Sequence, residues 1–103
     1  MGKKATVIKG DGIGPEVVDS MIRVLKECNS QTEIILADAG SEQWQKNGEK
    51  DPTYIPESTM KLLETTDACF KGPTTTIPKP GAPRSVAVTL RQKFELYSNI
   101  RPI

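Results

Sequence analysis

The sequence predicts an α/β domain built on parallel strands, and three observations carry that prediction. Short β-branched runs alternate with segments whose apolar residues recur at helical spacing, the order produced when helices connect parallel strands. The second of these runs, Ile34-Ile35-Leu36-Ala37, is apolar without alternation, as in a parallel strand covered on both faces. The first run leads through a glycine turn directly into a helix start.

Ala5 to Lys9 is the first strand, stopped by Gly10. After the turn Gly10-Asp11-Gly12-Ile13-Gly14, Pro15 stands at a first helical position with Glu16 beside it. Val17, Val18, Met21, Ile22, Val24, Leu25 and Cys28 then mark one amphipathic helix that ends at Asn29-Ser30. Thr32 to Ala39 is the second strand. Gly40 to Tyr54 is polar and carries one weak helical piece, Ser41 to Lys46. Pro56-Glu57-Ser58 opens a helix through Met60, Leu62 and Leu63, and Asp67 to Lys71 is a third strand. Gly72 to Pro83 is dense in proline and glycine and must be an extended loop. Ser85 to Phe94 is helical, and Tyr97 to Ile103 is extended. No repeat or linker interrupts this order, so the chain is one unit, 1–103. Its last residues resemble a strand entering a fold, so it reads as the first part of a larger α/β domain.

Composition removes several function classes. Fourteen Lys and Arg face thirteen Asp and Glu, a net charge of +1, so no overall field recruits nucleic acid. No apolar stretch approaches the roughly 18 residues of a membrane span, and the N-terminus lacks a signal peptide's apolar run. Gly2 and Thr6 fall in a lipidation-like order, but Lys3, Lys4 and the immediate strand fit a fold start better. A cytoplasmic protein is expected. The two cysteines, Cys28 and Cys69, lie in separate elements, and there is no histidine. Zinc ligation and a Cys-His nucleophile are thereby excluded within this chain, and buried free thiols are expected.

The glycine turn between strand and helix is the generic anion cradle. Its glycines fall at 10, 12 and 14, and Pro15 occupies the third place of the G-x-G-x-x-G dinucleotide fingerprint. No Lys-Ser/Thr pair follows, so the P-loop reading fails as well. The fold is not a Rossmann fold.

Three blocks make a more specific match. Gly10-Asp11-Gly12-Ile13-Gly14-Pro15-Glu16-Val17 follows the first strand; Lys71-Gly72-Pro73 comes next; Ser85, Leu90-Arg91 and Leu96-Tyr97 through Arg101-Pro102 complete the set. In order and spacing they resemble the isocitrate and isopropylmalate dehydrogenases, over essentially the whole chain. The resemblance implies a two-domain subunit several times longer than 103 residues, a homodimer, and an active site in the interdomain cleft. It implies oxidation of a 2-hydroxy acid by NAD or NADP, then metal-assisted loss of CO₂, with Mg²⁺ or Mn²⁺ held by residues beyond this chain. The Ser85 block resembles isocitrate-type members, which yield 2-oxoglutarate. Isopropylmalate and homoisocitrate types are the alternatives, and a non-catalytic regulatory subunit is a further one.

The same resemblance assigns roles to residues. Arg91 and Arg101, two of the four arginines, match positions that clamp substrate carboxylates, a task suited to a planar, permanently charged fork. Ser85 matches a substrate-binding serine that some bacterial members phosphorylate, and it is equally a natural helix N-cap. Tyr97 resembles the catalytic tyrosine that helps deliver a proton after decarboxylation. Lys71, Thr75 and Thr76 match the loop bordering the nicotinamide and ribose of the cofactor. Ala87 departs from the pattern, because isocitrate-type members carry an asparagine there whose amide contacts substrate.

Overall fold

A computed structural model describes residues 3–28 and 31–102. Gly2, the helix stop at Asn29-Ser30, and Ile103 at the end of the tail lie outside the described residues. Strand β1 (Lys4–Ile8) leads through the glycine turn into α1 (Gly14–Glu27), and β2 (Glu33–Ala37) follows. Then come α2 (Ser41–Lys46), α3 (Glu57–Thr65), β3 (Ala68–Lys71) and α4 (Val86–Lys93). The three strands form one parallel sheet in the order β2-β1-β3. Thr6 at its middle stands beside Ile35 on one side and Cys69 on the other.

Every element named from the sequence is present, with ends moved by one or two residues. Pro15 sits in the first turn of α1, where its missing N–H leaves nothing unpaired, and Glu16 faces the positive end of the helix dipole. The helix turns Val18 inward and leaves Val17 and Val24 at the surface. The segment after α4 is irregular and forms no strand among the described residues.

Two expectations are corrected. Strand β2 is not covered on both faces: Leu36 is 55% exposed, as is half of Phe70 on β3. A parallel strand is covered on both faces only when helices lie on each side of the sheet, and the described helices leave these positions bare. The thiols are also not buried. Cys28 caps the C-terminal end of α1 and Cys69 lies on edge strand β3, and both residues are exposed.

The core sits at the carboxyl end of β1. There Ile8 packs with Ala39, Trp44, Tyr54, Ile55, Leu63 and Val86, with Leu90 and Phe94 of α4 against them. Trp44 and Tyr54 meet edge to face, centroids 5.4 Å apart, a geometry favoured by the ring quadrupoles. This cluster fastens the polar 40–54 segment and α4 to the sheet. Full burial of a side chain such as Val86 stabilises the fold by about 1.5–3 kcal/mol, and this burial docks α4 beside β3.

Candidate functional site

Docking α4 against the end of α3 and strand β3 leaves a groove of about 590 Å³. Its floor is apolar, with Ala87, Leu90 and Phe94. Lys71 and Arg91 bring positive charge to the same groove, and Cys69 lines it between Asp67 and Lys71. The helix that carries Arg91 starts at Ser85, whose hydroxyl accepts the N–H of Val88 at 3.2 Å. That bond uses an oxygen lone pair. Among the described residues no acceptor takes the hydroxyl proton, so Ser85 retains a donor at the mouth of α4.

Lys71 is half-buried. Its ammonium donates to the Gly72 carbonyl at 2.9 Å and to the Thr74 hydroxyl at 3.3 Å. Burial holds its pKa below the ordinary lysine value; Cys69 and Asp11 oppose that shift, and the nearby Arg91 guanidinium adds to it. Although the residue as a whole is exposed, the atoms around the Cys69 thiol partly desolvate it and raise its pKa, against the pull of the Lys71 ammonium. The exposed Arg91 keeps a permanent charge directed at an open, largely apolar groove. Glu64 and Asp67 line the same groove, so two carboxylates share it with the two cationic side chains.

The glycine turn is not an anion cradle. Three of its amides are already used: Asp11 N–H donates to the Pro73 carbonyl at 2.9 Å, Gly12 to Glu42 at 3.1 Å, and Gly14 to the Asp11 carbonyl at 2.8 Å. A β-carbon at Gly10, φ +83°, would run into the Pro73 carbonyl, and one at Gly14 into that of Lys9. The glycines therefore let the turn and the Gly72-Pro73 backbone touch. That contact fills the crevice between the carboxyl ends of β1 and β3, where doubly wound folds hold a dinucleotide.

Asp11 is the residue that sequence reasoning passed over. Its side chain is 3% exposed, and its carboxylate accepts three backbone N–H groups: Ser41 at 3.0 Å, Glu42 at 2.9 Å and Thr75 at 2.7 Å. Gly40, the N-cap of α2, has no side chain to cap with, so Asp11 caps that helix from a distant turn. Tyr54 was passed over too. Fully buried, its hydroxyl accepts the Ile77 N–H at 3.0 Å. The proline-rich loop is thus pinned at Pro73, Thr75 and Ile77, every second residue. An aspartate between two glycines was the only sequence signal for the first pin.

The structure brings Lys71 and Arg91 together at the groove, with Ser85 as the N-cap of the helix that carries Ala87 and Arg91. Thr75 and Thr76 lie on the pinned loop with exposed side chains. Arg101 and Tyr97 stand in the irregular segment after α4; both are exposed, Tyr97 completely, and neither lines the groove. Among the described residues no group of three His, Cys, Asp or Glu could hold a metal ion. No described helix is long and apolar enough to cross a membrane.

A parallel sheet with flanking helices and a groove at one edge, lined by Lys71 and Arg91 and by Glu64 and Asp67, defines part of an α/β domain. Residues 4–103 match the isocitrate/isopropylmalate dehydrogenase family, and the chain belongs to that family. It is 41% identical to a homoisocitrate dehydrogenase of Methanocaldococcus jannaschii, over 97% of this chain and 28% of that protein. It is 35% identical to the NADP isocitrate dehydrogenase of Thermus thermophilus, over 98% of this chain and 20% of that protein. Among solved structures, the isocitrate dehydrogenase of Methylococcus capsulatus superposes with a TM-score of 0.80 at 40% identity, covering 94% of this chain and 27% of its own. A β-decarboxylating dehydrogenase of Thermococcus kodakarensis gives 0.79 at 35% identity, covering 92% and 27%. The chain therefore spans about a fifth to a quarter of the length of these relatives.

Proposed function

We propose that this chain contributes the substrate-carboxylate side of an NAD(P)-dependent β-decarboxylating dehydrogenase acting on isocitrate in the cytoplasm. The observation that carries the reading is the joint placement of Lys71 and Arg91 on one groove, with the Ser85 hydroxyl at the head of the helix bearing Arg91. Isocitrate differs from isopropylmalate in offering a carboxylate where the other has an isopropyl group, and a hydroxyl with a free proton suits a carboxylate. Arg91 grips a carboxylate bidentately at the groove, and Arg101, which stands off it on the following segment, is assigned a second carboxylate by the family pattern. Lys71, held by Gly72 and Thr74, keeps its ammonium facing the groove. Thr75 and Thr76 present hydroxyls to the nicotinamide side of the cofactor, which supplies the hydride acceptor when bound. Tyr97 is assigned the proton delivery by the family pattern. A homodimer, with the metal ligands and the lysine partner of the tyrosine outside this chain, completes the reading.

A second reading follows from Ala87. It lines the groove where isocitrate-type members carry an asparagine, and its small side chain leaves room for the longer substituent of homoisocitrate.

Titration calorimetry of the chain with Mg²⁺-isocitrate, homoisocitrate and 3-isopropylmalate tests both. The expected result is preference for a tricarboxylate, weakened roughly ten- to a hundredfold by Arg91→Ala, the scale of charge-assisted hydrogen bonds. Tighter binding of 3-isopropylmalate, or an Arg91→Ala chain that binds as well as the original, overturns the proposal. The 103-residue chain alone is expected to produce no NAD(P)H.

A further inference from the structure

We infer that Asp11 is a positioning residue: its buried carboxylate sets the backbone of Thr74–Thr76 in the loop that follows β3, a role that rests on the reading of Thr75 and Thr76 as cofactor contacts. The carboxylate is almost wholly enclosed and takes its hydrogen bonds from two separate elements, the first turn of α2 and the proline-rich loop. The shortest of the three, 2.7 Å, goes to Thr75. The connection is closed on the other side, because the Asp11 N–H donates to the Pro73 carbonyl at 2.9 Å. Asp11 thus holds the loop by its main chain at Pro73 and by its side chain at Thr75, and the residue between them, Thr74, receives the Lys71 ammonium.

The carboxylate needs glycine beside it: a β-carbon at Gly40 would stand 2.6 Å from Oδ2. Glutamate would carry its oxygens past the Ser41 and Glu42 amides. Asparagine keeps the shape, but it replaces one acceptor oxygen with an NH₂ facing an N–H. Oδ2 serves both Ser41 and Thr75 and Oδ1 serves Glu42, so an amide turned toward Glu42 costs that bond alone, whereas alanine removes all three acceptor contacts. An ordinary core residue would not act this way, because its loss loosens everything packed against it.

Amide hydrogen exchange by NMR separates the two cases. In Asp11→Ala the protection of Thr75 is expected to fall roughly ten- to a hundredfold, the scale of a hydrogen bond to a charged acceptor, while Val7 and Ile8 keep theirs. Leu63→Ala, a core truncation away from the loop, is the control and is expected to lower all of them together. Thr75 unchanged in Asp11→Ala, or falling only in step with Ile8, overturns the inference. Should Asp11→Ala not fold, exchange in the unaltered chain decides: Ser41, Glu42 and Thr75 are expected to be protected, and a Thr75 amide exchanging at the rate of a free peptide overturns it. Titration with NADP⁺ tests the underlying reading separately. Shifts at Thr75 and Thr76 in the unaltered chain, lost in Asp11→Ala, support both; no shift in the unaltered chain refutes the cofactor role and leaves the exchange result to judge Asp11.

Discussion

The hydroxyl of Tyr54 accepts the backbone N–H of Ile77 at 3.0 Å from inside the core. An aromatic ring that stacks edge to face on Trp44 also fastens the loop that follows β3. Packing and loop shape are therefore coupled through one side chain. Tyr54→Phe keeps the ring and strands the Ile77 amide, and urea denaturation is expected to show a loss of about 1–3 kcal/mol. A loss below the precision of the measurement would mean that the amide finds water without cost.

Ser85 separates capping from ligand binding. Ser85→Ala removes the acceptor for the Val88 N–H, and a loss of about 1 kcal/mol is expected from the same denaturation experiment. Ser85→Asp keeps a capping acceptor and adds a negative charge at the head of α4. Stability is expected to hold within about 0.5 kcal/mol, while calorimetric binding of Mg²⁺-isocitrate is abolished by repulsion between the new carboxylate and the ligand.

Cys69 should titrate above an ordinary thiol, because burial disfavours its thiolate more than Lys71 favours it. The rate of iodoacetamide alkylation followed against pH is expected to reach half its maximum later for Cys69 than for the same thiol in urea. Lys71→Met removes the opposing ammonium and moves that midpoint further up. Between the unfolded and folded pKa values the native chain holds a proton that the unfolded chain has released, so Cys69 lowers stability as pH rises through that window. A Cys69 midpoint at or below the value in urea contradicts this.

The Lys93–Glu64 pair bridges α4 to α3 at 3.6 Å, with both side chains about half exposed. Solvent screening leaves such a pair worth roughly 0.5 kcal/mol or less. Lys93→Ala is expected to leave the urea midpoint almost unmoved, and a large shift would show that the groove wall depends on charge instead of on Val86 and Leu90.

The helices and strands were legible in the sequence because their signals are local. Pro15 with Glu16 starts α1, apolar spacing runs it, and Ser85 caps α4. Arg91 and Lys71 were legible as residue types, and the structure places both on one groove. What could not be read was long-range. Asp11 meets Thr75 across 64 positions and Tyr54 meets Ile77 across 23, and no periodicity encodes such a pairing. The polar 40–54 segment concealed Trp44 and Tyr54 because two large rings in a hydrophilic stretch form no periodic stripe. The exposure of Leu36 was hidden for a related reason: an apolar run states what a strand could bury, not which helices are there to bury it.

Gly10, Gly14 and Gly72 stand where a β-carbon would strike main-chain atoms of Pro73 or Lys9. Main-chain atoms are the same whatever amino acid supplies them. A collision with a side chain can be relieved by trimming that side chain elsewhere, so second-site suppressors exist for most core mutations. For these three glycines no such suppressor is open to point mutation. In a saturation library the three positions should behave as isolated fixed letters, without compensating partners and without epistasis that rescues them.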